Sequence, residues 1–160
     1  MKKILLFIVF LMMIGVVALG VSPVRAEGAK GFKAVLSGAE VVPPAQTKAK
    51  GEATFELRKY GKELYYTIKA SDIEGITAAH IHKGKKGENG PPLALIKVTK
   101  NAAKMNEVVA KGEVDKKDLM TSLSGKSVAD LLKEIETGDT YVNVHTAKFP
   151  DGEIRGQIVK

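Results

Sequence analysis

Two runs of alternating residues decide what this chain can fold into. In EATFELRKY (52–60), Ala53, Phe55 and Leu57 fall on one side and Glu52, Thr54, Glu56 and Arg58 on the other. In ELYYTIKA (63–70), Leu64, Tyr66 and Ile68 repeat the pattern. A period of two lets a strand bury one face, whereas a helix would scatter the same residues around its circumference. The connection between the runs is short and contains Gly61. Together they predict an antiparallel β-hairpin.

The alternation recurs in FKAVLS (32–37), TAAHIHKG (77–84) and YVNVHT (141–146). PLALIKV (92–98) reads as a further short strand. After the turn FPDG, Glu153, Arg155 and Gln157 alternate with Ile154, Gly156 and Ile158. GAEVVPPAQTKAKG (38–51), with two prolines, is predicted to be an extended loop. Only 112–139 changes period. There Asp115 is placed to cap a short helix running through Leu119 and Met120. Ser127 is placed to cap a second, with Val128, Leu131, Leu132 and Ile135 at helical spacing and Gly138 ending it. Six or seven short strands predict an all-β fold, an antiparallel β-sandwich of immunoglobulin-like or superoxide-dismutase-like kind with a short helical insertion.

The N-terminus carries an address. Lys2 and Lys3 precede an apolar run from Ile4 to Leu19, broken only by Gly15; Gly20 and Pro23 follow, and Val24-Arg25-Ala26 ends in a small residue. This is the pattern of a secretory signal peptide over residues 1–26. The run is about 16 residues, short of the ~20 that span a bilayer. The expected mature chain is extracytoplasmic, with no membrane span, a flexible lead-in at 27–31 and one domain over 32–160. There is no cysteine, which excludes disulfides, thiolate ligands, a cysteine nucleophile and a lipoprotein lipobox. The net charge of +7 comes mostly from lysines spread singly along the chain. No arginine cluster and no basic–aromatic interleaving is present, so no nucleic-acid partner is expected. A solvated lysine surface attracts an anionic envelope weakly at most.

LSGAEVVPP, AHIHKGKKGENGPP, SVADLLKEIETGDTYVNVHT and FPDGEIRGQI, in this order and spacing, resemble the CHRD domain. That module is named for its repeats in chordin and also occurs alone in secreted bacterial proteins. The resemblance covers nearly all of 32–159. It implies a β-sandwich binding module, and it brings no catalytic residues with it. Chordin binds growth factors, so the resemblance also implies a metal-free alternative, an adhesion or protein-interaction module with an envelope or extracellular protein as partner.

The chain has three histidines, His80, His82 and His145. On a strand, residues two apart share a face, so His80 and His82 project together and Ile81 turns to the core. His145 does the same on its own strand, with Val144 inward. Imidazoles suit copper, zinc or nickel, and the three histidines are read as one metal site. Copper is favoured by the all-imidazole set and the expected compartment, with zinc as the alternative. Nitrogens sharing one metal at ~2.0–2.1 Å must approach within about 4 Å of one another. A His-x-His strand plus a distant histidine on a sandwich also occurs in copper/zinc superoxide dismutases; that is an analogy of site, and a dismutase-like redox enzyme is a third reading, one that needs an open coordination position and a redox-competent metal, neither of which the sequence shows. The competing structural reading has His80 bonded to a carbonyl of GKKGENG, itself read as a turn, and His145 paired with Glu153. Asn143 shares the face of His145. Glu153 and Arg155 are read as sharing a strand face. They are either an exposed ion pair or a supporting layer, in which Glu153 orients a ligand imidazole and Arg155 draws an anion to the metal. N-terminal sequencing of the native protein is expected to return Glu27 first; Met1 in that position would show that the leader is retained.

Overall fold

The structure, a computed structural model, describes residues 31–59 and 62–160. The expected leader lies outside the described residues, as does all of the lead-in except Gly31, which opens the first strand. Among the described residues ten strands follow in chain order: β1 (Gly31–Ser37), β2 (Lys50–Arg58), β3 (Glu63–Ser71), β4 (Ile73–Glu74), β5 (Ile76–Lys83), β6 (Pro92–Ile96), β7 (Ala102–Ala103), β8 (Glu107–Val114), β9 (Thr140–Thr146) and β10 (Ile154–Gln157). One α-helix, α1 (Val128–Glu136), lies between β8 and β9. No helix among the described residues is long and apolar enough to cross a membrane.

The fold is all-β and antiparallel, as expected. Eight strands form one sheet in the order β6-β5-β9-β10-β1-β2-β3-β8, and β4 pairs with β7 separately. The layers of the expected sandwich are therefore joined strand to strand into a barrel-like sheet that nearly closes. Its two edges meet where Val98, just beyond β6, bridges Ala110 of β8, and the Thr99 amide donates to the Val109 carbonyl at 2.8 Å. Closure of this kind removes the free edge that an open sheet offers to other chains.

The predicted hairpin is β2–β3. Its register sets Phe55 opposite Tyr66 and Ala53 opposite Ile68, all buried on the concave side. Helix α1 begins where Ser127 and Asp130 form a reciprocal capping box, and it buries Leu131, Leu132 and Ile135. Gly138, at φ +81°, ends the helical segment in the left-handed region that glycine adopts without steric cost.

Two expectations change. The helix expected from Asp115 is a single 3-10 turn, Lys116–Asp118, although its capping box is present. The chain leaves it because Leu119 is drawn into the core and bridges Ala94 of β6. Strand β8 was not legible. A bulge shifts its register against β3 between Ile68 and Lys69, and Val109 and Ala110, adjacent in sequence, are both buried. A bulge of this kind breaks the period of two that betrays a strand.

Val144 is 1 % exposed and pairs with Ala79 on one side and Ile154 on the other. Val144→Asp places an unpaired carboxylate there and is expected to cost more than about 4 kcal/mol. Thermal or denaturant unfolding would register this as loss of the cooperative transition; a near-wild-type melting curve would refute the facing assigned to β9.

Candidate metal centre

The site begins with one strand pairing. β9 lies between β5 and β10 in the sheet. Against β5 its register sets Ala78 opposite His145, His80 opposite Asn143, Ile81 opposite Val142 and His82 opposite Tyr141. Side chains alternate across a strand. Ile81, Val142 and Val144 therefore enter the core, and His80, His82, Tyr141, Asn143 and His145 stand on the convex face. His145 is the diagonal neighbour of His80, a separation across which rings touch. The ring centroids are 5.2 Å apart for His80–His145, 5.6 Å for His80–His82 and 6.0 Å for His82–His145. One nitrogen from each ring lies within 4.8 Å of the others, and no carboxylate belongs to this group. That is slightly wider than the expected 4 Å; the rings would close by less than about 1 Å around a shared ion.

The tautomers are set by the backbone. His82 Nδ1 lies 2.9 Å from the Gly90 carbonyl oxygen, and His145 Nδ1 lies 2.8 Å from that of Pro150. A carbonyl only accepts, so each Nδ1 carries its hydrogen and each Nε2 keeps a lone pair. Both Nε2 atoms are buried without a hydrogen-bond partner, as is Nδ1 of His80. Three half-buried imidazoles thus present unpartnered nitrogens in one place, an arrangement that ordinarily costs stability. Burial pushes His80 down to about 4, with the neighbouring His145 and His82 adding to the effect. Burial also lowers His82, against the Gly90 carbonyl, which favours its charged form; His145 and Arg155 lower it further. Neutral rings are the metal-ready form.

Each carbonyl anchor has its own support. Arg155 donates through Nη2 to the carbonyls of Lys85 (3.0 Å) and Glu88 (2.7 Å), and through Nη1 to Asn89 Oδ1 (3.2 Å). It thereby ties down the loop that delivers Gly90. The Gly90 amide donates to the Tyr141 hydroxyl at 3.2 Å, and a Cβ on Gly90 would sit 1.8 Å from the Lys83 carbonyl oxygen, so only glycine fits. Tyr141 stacks on His82 with centroids 5.0 Å apart and planes 12° from parallel. On the other strand edge, Asn143 Nδ2 donates to the Asp151 carbonyl at 3.0 Å and holds the turn that delivers Pro150. Gly152, at φ +128°, passes under Asn143 where a Cβ would meet its Oδ1 at 2.3 Å.

The expected neighbours are therefore present with changed duties. Asn143 supports the His145 anchor rather than facing a ligand. The three donor bonds of Arg155 are spent on the loop and are not offered to an incoming anion. Glu153 accepts from Thr47 Oγ1 (2.6 Å) and Thr146 Oγ1 (2.7 Å), and among the described residues it bonds neither Arg155 nor a histidine. Regular pairing of β10 starts only at Ile154. Glu153 still belongs to the turn and reaches Thr146, whose parity on β9 is opposite to that of His145, so it does not share the face of Arg155. The loop carbonyl expected for His80 goes to His82. Tyr141, Gly90 and Pro150 were missed as site residues. Tyr141 shared the parity of Asn143 and His145, but only the register against β5 puts it across from His82.

A search of curated proteins finds no match. The family model for the CHRD domain matches residues 32–158, a span that includes all three histidines and both anchoring turns. The chain belongs to the CHRD-domain family.

Proposed function

We propose that this protein is a secreted, extracytoplasmic metal-binding module that takes one copper ion, with zinc as the alternative, on His80, His82 and His145. One observation carries the reading: the three rings each have a buried, unpartnered nitrogen, one nitrogen of each ring lies within 4.8 Å of the others, and two of the tautomers are fixed by backbone carbonyls. Metal-ligating histidines are ordinarily held in this way through the second ring nitrogen. An ion accepting the three lone pairs offsets the cost of leaving them unpartnered. The neutral all-nitrogen set favours copper or zinc over the hard, oxygen-seeking cations. Binding rather than catalysis is proposed, because the histidine group includes no acidic residue placed to move a proton.

Calorimetric titration of tag-free mature protein with copper and with zinc tests the reading. Wild type is expected to bind one equivalent and to melt at a higher temperature by mass action. Each His→Ala change is expected to weaken binding by more than the 10–100-fold that loss of an orienting partner costs, while the metal-free fold survives. The three losses are expected to be non-additive, because losing one ligand already breaks the site. Equal and weak binding by wild type and His82→Ala would sink the shared site and leave a metal-free interaction module.

Acid should act in a definite direction. The folded-state value of His80, about 4, lies below the ~6.5 of an unfolded chain. Between those values the unfolded state binds more protons, so the stability of the metal-free protein falls as pH drops from about 6.5 toward 4. The decline is expected to be shallower in His80→Ala, as read by thermal unfolding across that range. Metal affinity falls in the same direction, since a proton on His80 or His82 removes a ligand. With both rings held low, the fall is expected to come below the titration of a free imidazole.

A further inference from the structure

Arg155 is 2 % exposed, and its guanidinium donates only to neutral acceptors, two carbonyls and one amide oxygen. Among the described residues it forms no direct ion pair; the nearby Glu40 carboxylate acts on it at longer range and is itself paired with Lys86. Its Cζ lies 3.5 Å from the centroid of the Tyr141 ring, a cation–π contact. β10 and β5 flank β9 on opposite sides, so Arg155 and His82 cover opposite faces of that ring. The cation thus sits within about 9 Å of the His82 imidazole, with the Tyr141 ring in contact with both. The three imidazoles are neutral ligands, and their group contains no carboxylate to offset the charge.

We infer that Arg155 is a specificity-determining residue of the histidine site: its buried charge, which no carboxylate bonds directly, biases the site toward a soft monovalent cation, copper(I), and against zinc(II) and copper(II). The inference rests on the three-histidine reading proposed above. Repulsion from a fixed positive charge scales with the charge of the ion, so a divalent ion meets twice the opposition of a monovalent one. For bound copper the same charge favours the reduced state and raises the reduction potential. The positioning of Gly90 by Arg155 is a separate effect, because it depends on the fork of donors and not on the charge.

Asn89→Asp separates the two. Asn89 Oδ1 already accepts from Arg155 Nη1, so the new carboxylate compensates the cation while every donor of Arg155 keeps its partner. The cost is the exposed bond from Asn89 Nδ2 to the Val42 carbonyl. Affinities for copper(I) and zinc(II) would be measured anaerobically by chelator competition on tag-free protein, together with the midpoint potential of bound copper. Wild type is expected to prefer copper(I). Asn89→Asp is expected to lose about tenfold of that preference, the scale of one unit charge acting across roughly 10 Å of protein. Its potential is expected to fall correspondingly, by ~59 mV for a one-electron couple. Arg155→Gln should move both quantities in the same direction, and Arg155→Lys, which keeps the charge, should hold them near wild type. Unchanged preference and potential in a copper-loaded Asn89→Asp would overturn the inference while leaving the three-histidine site standing. So would equal shifts in Arg155→Gln and Arg155→Lys, which would assign the effect to the donor fork. Should Arg155→Gln fail to fold, Asn89→Asp still decides. Wild type that takes up neither ion would end both readings.

Discussion

The register of β5 against β9 is the constraint on which the rest depends. It sets Ile81 against Val142 in the core, and by alternation it lifts His80, His82 and His145 to the other face. A slip of one residue would turn the histidines into the barrel and the valines out to water. The apolar residues that stabilise the fold therefore hold the histidines together, and no separate device is needed to assemble them.

Above that pairing the convex face carries a thin polar layer of its own. Two turns lean over it, one delivering the Gly90 carbonyl to His82 and the other the Pro150 carbonyl to His145. Each is tied back to the sheet by a buried polar side chain, Arg155 for the first and Asn143 for the second. The glycines explain why these turns lie so close. At Gly90 and Gly152 a Cβ would collide with the Lys83 carbonyl or with Asn143. Orientation of the His82 and His145 rings is thus backbone-determined, and the side chains around them act mainly by fixing backbone.

Much of this was legible in the sequence. The hairpin of Phe55 and Tyr66, the cap at Ser127 and the outward facing of the three histidines all follow from local period and capping chemistry, which act within a few residues. The failures share a cause, in that they depend on how distant strands align. β8 was hidden by a bulge defined only against β3. Glu153 was assigned a face by counting alternation through a turn that does not alternate. Tyr141 belongs to the site because it meets His82 across a strand boundary, and Gly90 and Pro150 act through carbonyls, which every residue possesses. Arg155 could be placed beside the site by its parity; its duty could not, because three of its partners lie on a loop nearly seventy residues earlier.

The position of β10 has a consequence for how the chain is assembled. This strand, the last in chain order among the described residues, lies in the middle of the sheet, with the half β6-β5-β9 on one side and β1-β2-β3-β8 on the other. Until residues 154–157 arrive, the strand ladder exists as two separate pieces, joined at most through the bridge at the far edges. Synthesis runs from the N-terminus, so the hairpin of β2 and β3 can form early while the barrel stays open. Residues 154–157 close it, and Arg155 rides in with them. The convex face is therefore completed in the same event that completes the core, and before it the loop beside the histidines lacks the three bonds of Arg155.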